Sequence, residues 1–350
     1  MPSLDWLSRL LVMMPVRGQL EVRCAFGAPW VVGYDRAKPG EMPYHIVLSG
    51  QAVFESEDSR KKIRLGAGDI VVIAHGSAHR LHDGTGAKPS RVRISESVNF
   101  ELQENSGKGE RLDMLCGRFM LSPPHDRLIR DYFPHMLVVR TGQLQASASV
   151  PASASVAASA SVPVPAPRPS RGSAAATQAA LDTSASGAQL AMLVELMRRE
   201  ATGAHLGAHA MLDAYSAALF ALTLRNASEA DEAPLGLIAG ANHPRLAPAL
   251  TAMFDDPAHP WTLPELADLC HMSRATLIRQ FQDHVGRSAN DLLTDIRMTL
   301  AANALRNPSA STDAVAEQVG YQSLVAFRRA FTQRLGVTPG EWRRAERDTV

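Results

Sequence analysis

Thiol side chains are among the groups in this 350-residue sequence that could carry chemistry. Cys24 follows Arg23 directly, and Cys116 lies two positions before Arg118. A nearby cation lowers the pKa of a thiol and favours the reactive thiolate, so Cys24 and Cys116 are candidate oxidant-sensing residues. The alternative, that both are buried as small apolar side chains, is the more frequent state of a free cysteine. Cys270 is expected only to pack.

Imidazole side chains form the second candidate group. His45, His75, His79 and His82 lie within 38 positions of the N-terminal third. Neutral imidazole binds transition metals, and it titrates near physiological pH. His45 and His79 are therefore candidate effector-site residues, and His45, His75 and His79 are weak metal-ligand candidates.

Arginines in the last third form a duplicated pattern. Four residues recur 50 positions later in the chain: Ser273, Arg279, Phe281 and Gly286 return as Ser323, Arg329, Phe331 and Gly336. Each copy predicts a helix, a short turn, a serine N-cap and a second helix that ends at glycine. Two helices joined in this way, with arginine exposed on the second, are typical of a helix-turn-helix that binds DNA.

Local signals support the two helical units and a helix between them. Thr262 and Glu265 have the spacing of a capping box at the start of the first unit. Between the units, apolar periodicity predicts one helix from Ser288 to Arg306. At 1.5 Å per residue this helix spans about 27 Å, so it can hold two recognition helices near the roughly 34 Å that separates successive major grooves.

The remaining sequence must position these groups. With 36 Lys+Arg and 35 Asp+Glu the formal charge is +1, and the length suggests about two folded domains. Residues 141–167 contain no charge and three ASASV repeats, which predicts a flexible Ala/Ser/Pro spacer. Three scattered cysteines do not make a disulfide framework, and neither a secretory signal nor a membrane-spanning segment is apparent, so a cytoplasmic protein is expected.

Short strands are predicted before the spacer and helices after it. Glycine-rich turns separate strand patterns over 30–34, 44–48, 52–55, 70–74 and 91–94, which indicates a small all-β barrel or sandwich. An edge strand is expected over 118–121 and a helix over 126–132. After the spacer, helical periodicity predicts helices over 187–201 and 207–226, which either pack within the protein or form a dimer seam.

The C-terminal third resembles the AraC/XylS family of transcription regulators. The resemblance rests on WTLPELADLCHMSRATLIRQFQDHVG and VAEQVGYQSLVAFRRAFTQRLGVTPGEWR, together with the helix between them. It implies that the two recognition helices present these residues to DNA: Arg274, Ala275, Ile278, Arg279, Leu324, Val325, Arg328 and Arg329. Arg279 and Arg329 are the strongest candidates for base contact, because arginine binds guanine O6 and N7 bidentately. Phosphate contact is the alternative for Arg274 and Arg328.

The N-terminal third is similar to the cupin-type domains of one AraC subgroup, through GEMPYHIVLSGQAVFE and LGAGDIVVIAHGSAHRLHDG. A metal-dependent cupin enzyme would carry an HxH pair, whereas Ile46 and Val47 follow His45. No cofactor and no catalytic residue are therefore expected. The predicted fold is α+β and multidomain: a cupin-like β-barrel, a flexible Ala/Ser/Pro linker and a C-terminal all-α double helix-turn-helix.

The domain boundaries follow from these patterns: a sensor domain over 1–140, a linker over 141–186, a helical and dimerising segment over 187–227, and a DNA-binding domain over 243–346. The predicted function is a sequence-specific transcription regulator, an activator, that an effector or thiol oxidation controls at the N-terminal domain. Its expected partners are double-stranded promoter DNA, RNA polymerase, a small-molecule or oxidant effector and a second copy of the chain, with no membrane. A metal-dependent cupin enzyme or a metal sensor fused to a DNA-binding domain is the alternative.

Overall fold

The computed structural model describes residues 4–97, 99–140, 173–203, 205–230 and 233–348. The N-terminal part begins with the short helix α1 (Trp6–Met13), which Asp5 caps through the backbone N–H of Ser8. It continues almost entirely as strands: β1 (Val16–Gly27), β2 (Val31–Tyr34), β3 (Glu41–Ser49), β4 (Gln51–Ser56), β5 (Ser59–Gly66), β6 (Asp69–Val72), β7 (His79–His82), β8 (Val92–Glu96), β9 (Glu101–Asn105), β10 (Arg111–Leu121) and β11 (Leu137–Arg140). Helix α2 (His125–Tyr132) lies between the last two strands.

The strands form two sheets that face each other, as expected for the predicted barrel. One sheet has seven strands in the order β11-β6-β3-β10-β1-β9-β8, and the other has four in the order β2-β7-β4-β5. Strand β10 pairs with both β3 and β1, so the prediction of an edge strand over 118–121 was wrong. Side chains on both faces of β10 are buried, which is typical of a central strand.

Alternation along the central strands separates two apolar cores. His45 and Val47 point between the two sheets, where Cys24 and Phe54 also lie. Tyr44 and the residues that alternate with it point to the other face of the seven-stranded sheet. The barrel interior and the outer face of the large sheet are therefore lined by different residues of the same strands.

Two helices after the spacer cover this outer face. Helix α3 (Ser173–Thr202) packs on helix α4 (Ala208–Glu229), and α4 packs on β1. The Tyr44 hydroxyl lies 2.9 Å from the Ser216 hydroxyl, and a Cβ atom added to Gly18 would lie 2.4 Å from Ser216 Cβ. Glycine is therefore required at position 18 for α4 to approach the sheet. The sequence predicted that these helices either pack within the protein or form a dimer seam. The structure shows that α4 packs within the protein.

The first of these helices starts earlier than the predicted boundary at residue 187. Helix α3 begins at Ser173, inside the range 141–186 that was predicted as linker. Its first turn contains three successive alanines, and alanine has the highest helix propensity. The rest of the predicted linker, residues 141–172, lies outside the described residues.

Helices are the only regular secondary structure in the described residues of the C-terminal part. Its helices are α5 (Leu237–Asn242), α6 (Ala247–Asp255), α7 (Leu263–Leu269), α8 (Arg274–Val285), α9 (Ala289–Leu305), α10 (Thr312–Gln318), α11 (Leu324–Leu335) and α12 (Pro339–Asp348). Helices α5 to α8 and the first half of α9 share one apolar core with α1, α2, α3, α4 and the large sheet. The second half of α9 forms a separate core with α10, α11 and α12. In the described part of the chain, no helix is both long and apolar enough to cross a membrane.

Candidate nucleic-acid interface and buried thiol site

The first helix-turn-helix is formed by α7 and α8. Thr262 and Glu265 make the predicted capping box, with the threonine N–H 2.8 Å from the glutamate carboxylate. The turn contains His271, whose φ of 51° is in the left-handed region. Ser273 then caps α8 by accepting from the N–H of Thr276. These local signals orient α8 so that its apolar side faces the core.

The outer face of α8 carries the residues that the sequence assigned to DNA. Leu277 and Phe281 are buried on the inner face, and Gly286 ends the helix with a φ of 81°. On the outer side four residues are exposed: Arg274, Ala275, Ile278 and Arg279. The structure therefore places all four on one accessible helical surface.

The second helix-turn-helix repeats this arrangement in α10 and α11. Ser323 caps α11 by accepting from the N–H of Ala326, and Phe327 and Phe331 are completely buried. The predicted DNA-facing residues of this unit are Leu324, which is half-buried, and Val325, Arg328 and Arg329, which are exposed. Helix α9 has 17 residues and thus spans about 26 Å between the two units.

Charge pairing separates the arginines of the two recognition helices into two groups. Within the described residues, no hydrogen bond or ion pair involves the side chains of Arg274, Arg279, Arg328 or Arg329. Arg334 differs, because its guanidinium lies 2.5 Å from Asp291 and 3.4 Å from Asp295 on α9. The outer faces of α8 and α11 therefore present uncompensated positive charge, as phosphate and base recognition require.

A second site lies between the two sheets, where a chain of hydrogen bonds joins buried side chains. His79 Nδ1 lies 2.8 Å from the carbonyl of Ser77, and His79 Nε2 lies 2.8 Å from His45 Nε2. His45 Nδ1 lies 3.0 Å from the Sγ atom of Cys116, to which the Tyr34 hydroxyl also donates, at 3.4 Å. Each of His45, His79 and Cys116 is at most 5% exposed.

The Ser77 carbonyl, at the end of this series of hydrogen bonds, determines which atom donates in each of them. Because a carbonyl only accepts, Nδ1 of His79 must carry its proton, and Nε2 of a neutral His79 is then an acceptor. His45 therefore donates from Nε2 and accepts at Nδ1, so the thiol of Cys116 donates to His45. We call this chain of Cys116, His45, His79 and the Ser77 carbonyl the thiol relay.

Burial keeps the members of the thiol relay neutral. It raises the pKa of the Cys116 thiol well above its ordinary value, and the neighbouring Cys24 adds to this effect. It lowers the pKa of His45 well below the usual value, with a further lowering from His79. The pKa of His79 is also lowered by burial, against an opposing hydrogen bond to Ser77.

The arginines that neighbour the two thiols in sequence pair with acids. Arg23 pairs with Asp113 at 2.8 Å and Arg118 pairs with Glu21 at 2.7 Å. Successive residues of a strand point to opposite faces, so Arg23 lies on the face opposite Cys24. The expectation that a neighbouring cation lowers the thiol pKa was therefore wrong for Cys116, because burial dominates.

The histidine candidates do not converge on one point. His45 and His79 are in contact, but the Nε2 atom of His75 bonds the carbonyl of Phe133 at 3.1 Å and its ring packs on His135. Among the described residues, no three His, Cys, Asp or Glu side chains are arranged to hold a metal ion. Both ring nitrogens of His45 already have partners, so metal binding there would break a hydrogen bond.

The N-terminal part also contacts both DNA-binding units, through residues that no sequence pattern indicated. Tyr132 of α2 donates to Asp295 of α9 at 2.6 Å, and Asp131 pairs with Arg287 at 2.7 Å. Arg127 of α2 donates to the backbone carbonyl of Arg334 on α11. The sequence predicted a helix over 126–132 but not these contacts, because the partners of α2 lie more than 150 positions away.

The described architecture is that of a DNA-binding transcription regulator with a β-barrel domain before a double helix-turn-helix. The family described as Cupin matches residues 5–170, and the family described as Helix-turn-helix domain matches residues 266–345. The chain therefore combines a cupin-type N-terminal domain with an AraC-type helix-turn-helix domain, and over almost its whole length it is similar to proteins named as AraC-like transcription regulators.

Relatives match over almost the whole chain. An AraC-like transcription regulator of Streptomyces antibioticus is 26% identical and covers 97% of this chain and 99% of its own length. The RCS-specific HTH-type transcriptional activator RclR of Escherichia coli is 24% identical, with 97% of each chain covered. Among solved structures, the DNA-binding domain of AdpA in complex with a target DNA is 29% identical, covers 30% of this chain and 95% of its own, and has a TM-score of 0.28.

Proposed function

We propose that this regulator is a promoter-binding activator in which α8 and α11 bind successive major grooves, and in which the thiol relay controls binding. The observation that carries the proposal is the set of four exposed arginines on these two helices, for which the described part of the chain offers no partner. Arg279 and Arg329 occupy equivalent positions and would bind guanine. Ile278 and Val325, which are 52% and 77% exposed, offer apolar contact to thymine methyl groups.

Selection of bound sequences from random duplex DNA by the purified full chain supplies the operator for the test. Substituting Arg279→Ala or Arg329→Ala is expected to weaken binding by about 1–3 kcal/mol each and to relax base preference at one position. Arg274→Ala and Arg328→Ala are expected to weaken binding on all sequences and to reduce the salt dependence by about one phosphate contact.

Arg64→Ala is the matched control, because Arg64 is an exposed arginine of the N-terminal part with no ion pair among the described residues. Its affinity is expected to equal that of the wild type. Unchanged affinity and unchanged base preference in both Arg279→Ala and Arg329→Ala would contradict the assigned base contacts.

Control by thiol chemistry follows from the position of Cys116 in the relay. Cys24 lies opposite Met114, so Cys24 and Cys116 are diagonal neighbours across the β1–β10 ladder. A two-electron oxidant such as diamide would join the two sulfurs: both S–H bonds break, the S–S bond forms, and the N=N bond of diamide takes both hydrogens to become a hydrazine. In this step His45 would take the proton of Cys116 and pass it on, so that both hydrogens end on the hydrazine. Because burial raises the pKa of that thiol, the reaction is expected to be slow and selective.

A disulfide between Cys24 and Cys116 would also distort the strands that precede α2. Diagonal cross-strand positions have Cα atoms about 7–8 Å apart, whereas a disulfide needs roughly 4.4–6.8 Å, so β1 and β10 must shift. Strand β10 ends at Leu121 and the chain enters α2 at His125. Since α2 contacts both DNA-binding units, a shift of β10 would change the pose of the recognition helices.

Promoter binding and transcription in vitro, with and without diamide, test this control. Wild-type protein is expected to respond, and Cys116→Ser is expected to bind DNA without responding. Cys270→Ser is the matched control, since Cys270 is also a buried free thiol but lies in the first helix-turn-helix. A full response of Cys116→Ser would contradict thiol control, and loss of the response on chelation of metals would favour a metal sensor.

The remaining partners belong to the same proposal. A second copy of the chain would bind on the outer face of α3, where Met192 and Leu196 are 65% and 45% exposed one helical turn apart. Leu196→Glu is expected to shift a dimer to a monomer in light scattering, and an unchanged mass would contradict this face. The proposal also includes contact with RNA polymerase, a cytoplasmic location and no enzymatic activity. Its support is that the relatives are named as transcription regulators.

A further inference from the structure

One arginine on the helix between the two DNA-binding units bonds to backbone rather than to acids. Arg297 of α9 donates from Nε to the carbonyl of Pro257 at 2.6 Å and from one terminal nitrogen to the carbonyl of His259 at 2.8 Å. The same nitrogen lies 3.4 Å from the carbonyl of Ala258. These carbonyls belong to the loop that leads directly into the N-cap of α7. The side chain of Arg297 therefore holds the entry of the first unit.

The same guanidinium also contacts the turn of the second unit. Its Cζ atom lies 5.7 Å from the ring centroid of Tyr321, which follows Gly320 in the turn between α10 and α11. Gly320 has a φ of 84°, and a Cβ atom there would lie 2.2 Å from the carbonyl oxygen of Ala258. The loop before α7 thus packs directly on the turn before α11, with Arg297 in the contact.

This contact provides a restraint that α9 alone does not. A helix fixes the distance between the units attached to its two ends, but each unit can still rotate about its own connection. The contact among Arg297, the loop at residues 257–259 and the Gly320–Tyr321 turn joins the units a second time, so that the relative rotation is fixed as well. Arginine suits this position because its planar fork directs several N–H groups at once.

We propose that Arg297 is a positioning residue that sets the rotation between the two recognition helices, whose distance α9 fixes, and so determines which spacing of DNA half-sites the protein accepts. This inference rests on the proposed binding of α8 and α11 to successive major grooves. Inserting one base pair between half-sites moves them about 3.4 Å apart and turns them by about 35°, and two units held rigidly cannot follow this change.

The test uses the full chain and the duplex that it enriches from random DNA, prepared with one base pair inserted or deleted between the half-sites. Wild-type affinity is expected to fall by at least about tenfold on either change. Arg297→Lys keeps the charge but loses the fork. Gly320→Ala forces the loop and turn apart from the other side of the contact. In both variants the ratio between original and altered spacing is expected to fall below about threefold.

Arg343→Lys is the control, because Arg343 donates to the carbonyl of Ala310 at 2.5 Å within the second unit alone. It removes a similar bond without touching the contact between units, so its spacing ratio should match that of the wild type. A wild-type ratio in both Arg297→Lys and Gly320→Ala would overturn the inference, even if both variants unfold at lower temperature. Should Arg297→Lys not fold, Gly320→Ala provides the same comparison. Failure of the wild type to enrich any sequence would instead contradict the proposed function.

Discussion

Replacing Tyr132 with phenylalanine removes one hydroxyl from the contact between the N-terminal part and the DNA-binding units. That hydroxyl donates to Asp295 over 2.6 Å, and Tyr132 and Asp295 are 1% and 3% exposed. Phenylalanine keeps the ring and its packing. The variant therefore isolates the hydrogen bond by which α2 binds α9.

The loss of stability in Tyr132→Phe depends on which contacts the Asp295 carboxylate keeps. Arg334 stays 3.4 Å from the Oδ1 atom of Asp295, but that atom has no hydrogen-bond partner among the described residues. A hydrogen bond to a charged group contributes about 1.5–3 kcal/mol, and the upper half of that range is expected because the carboxylate keeps no other hydrogen bond. The free energy of unfolding should fall by about 2–3 kcal/mol at neutral pH.

The pH dependence of this loss has a definite sign. Burial already raises the pKa of Asp295 above 3.8, and the Tyr132 hydrogen bond opposes that rise. Without the hydroxyl the pKa rises further, so the carboxyl is protonated more readily in the folded state. The deficit should be small where Asp295 is protonated, grow as pH rises through the raised pKa, and be complete above it.

Urea unfolding monitored by tryptophan fluorescence measures the effect, with a double-mutant cycle through Asp295→Asn. Tyr215→Phe is the control, because no hydrogen bond of the Tyr215 hydroxyl is found among the described residues. A loss below about 0.5 kcal/mol, of equal size in the Asp295→Asn background, would refute the account of this contact.

Three further predictions concern other buried groups. His125→Leu should raise the free energy of unfolding by about 1–3 kcal/mol in a urea titration, since neither ring nitrogen of this fully buried histidine has a partner among the described residues; a loss of stability would contradict this. Gly18→Ala should cost about 1–3 kcal/mol, because its new Cβ would meet Ser216, and a change within error would mean that α4 does not pack on β1 as described. Burial lowers the pKa values of His45 and His79, so only the unfolded chain gains their protons as pH falls below about 6.5. Stability should then fall by up to about 1.4 kcal/mol per pH unit for each histidine, and equal stability at pH 7.5 and 5.5 would contradict the buried relay.

The double helix-turn-helix was predictable because its signals are local. The capping box at Thr262, the N-cap serines and the C-cap glycines each act within four residues, and all were confirmed. The duplication then fixed which arginines share a position. Arg334 lies on the same helix as Arg328 and Arg329 but turns inward to α9. Its partners Asp291 and Asp295 lie more than 35 positions away in the sequence, so no local signal predicts this pairing.

The sequence predicted an all-β barrel or sandwich in the N-terminal part, but not which of its strands pair with each other. Strand β1 has no strict alternation of apolar and polar residues and was missed, although it pairs with β10 over almost its whole length. The thiol relay depends instead on the pairing of β10 with β3, which places Cys116 opposite His45, and on the packing of the two sheets, which brings His79 of β7 to His45. Sequence identified Cys116, His45 and His79 as candidates, but only the fold shows that they form one hydrogen-bonded chain.

In the proposed complex Arg279 and Arg329 bind guanine in two successive major grooves. This binding is tested most directly by measuring affinity for the selected duplex after each guanine is replaced in turn with 7-deazaguanine, which lacks the N7 acceptor. One replacement in each half-site is expected to weaken wild-type binding by about 1–3 kcal/mol, and Arg279→Ala and Arg329→Ala are each expected to become insensitive at one of these two positions. Equal sensitivity of the wild type and both variants at every guanine would contradict these contacts.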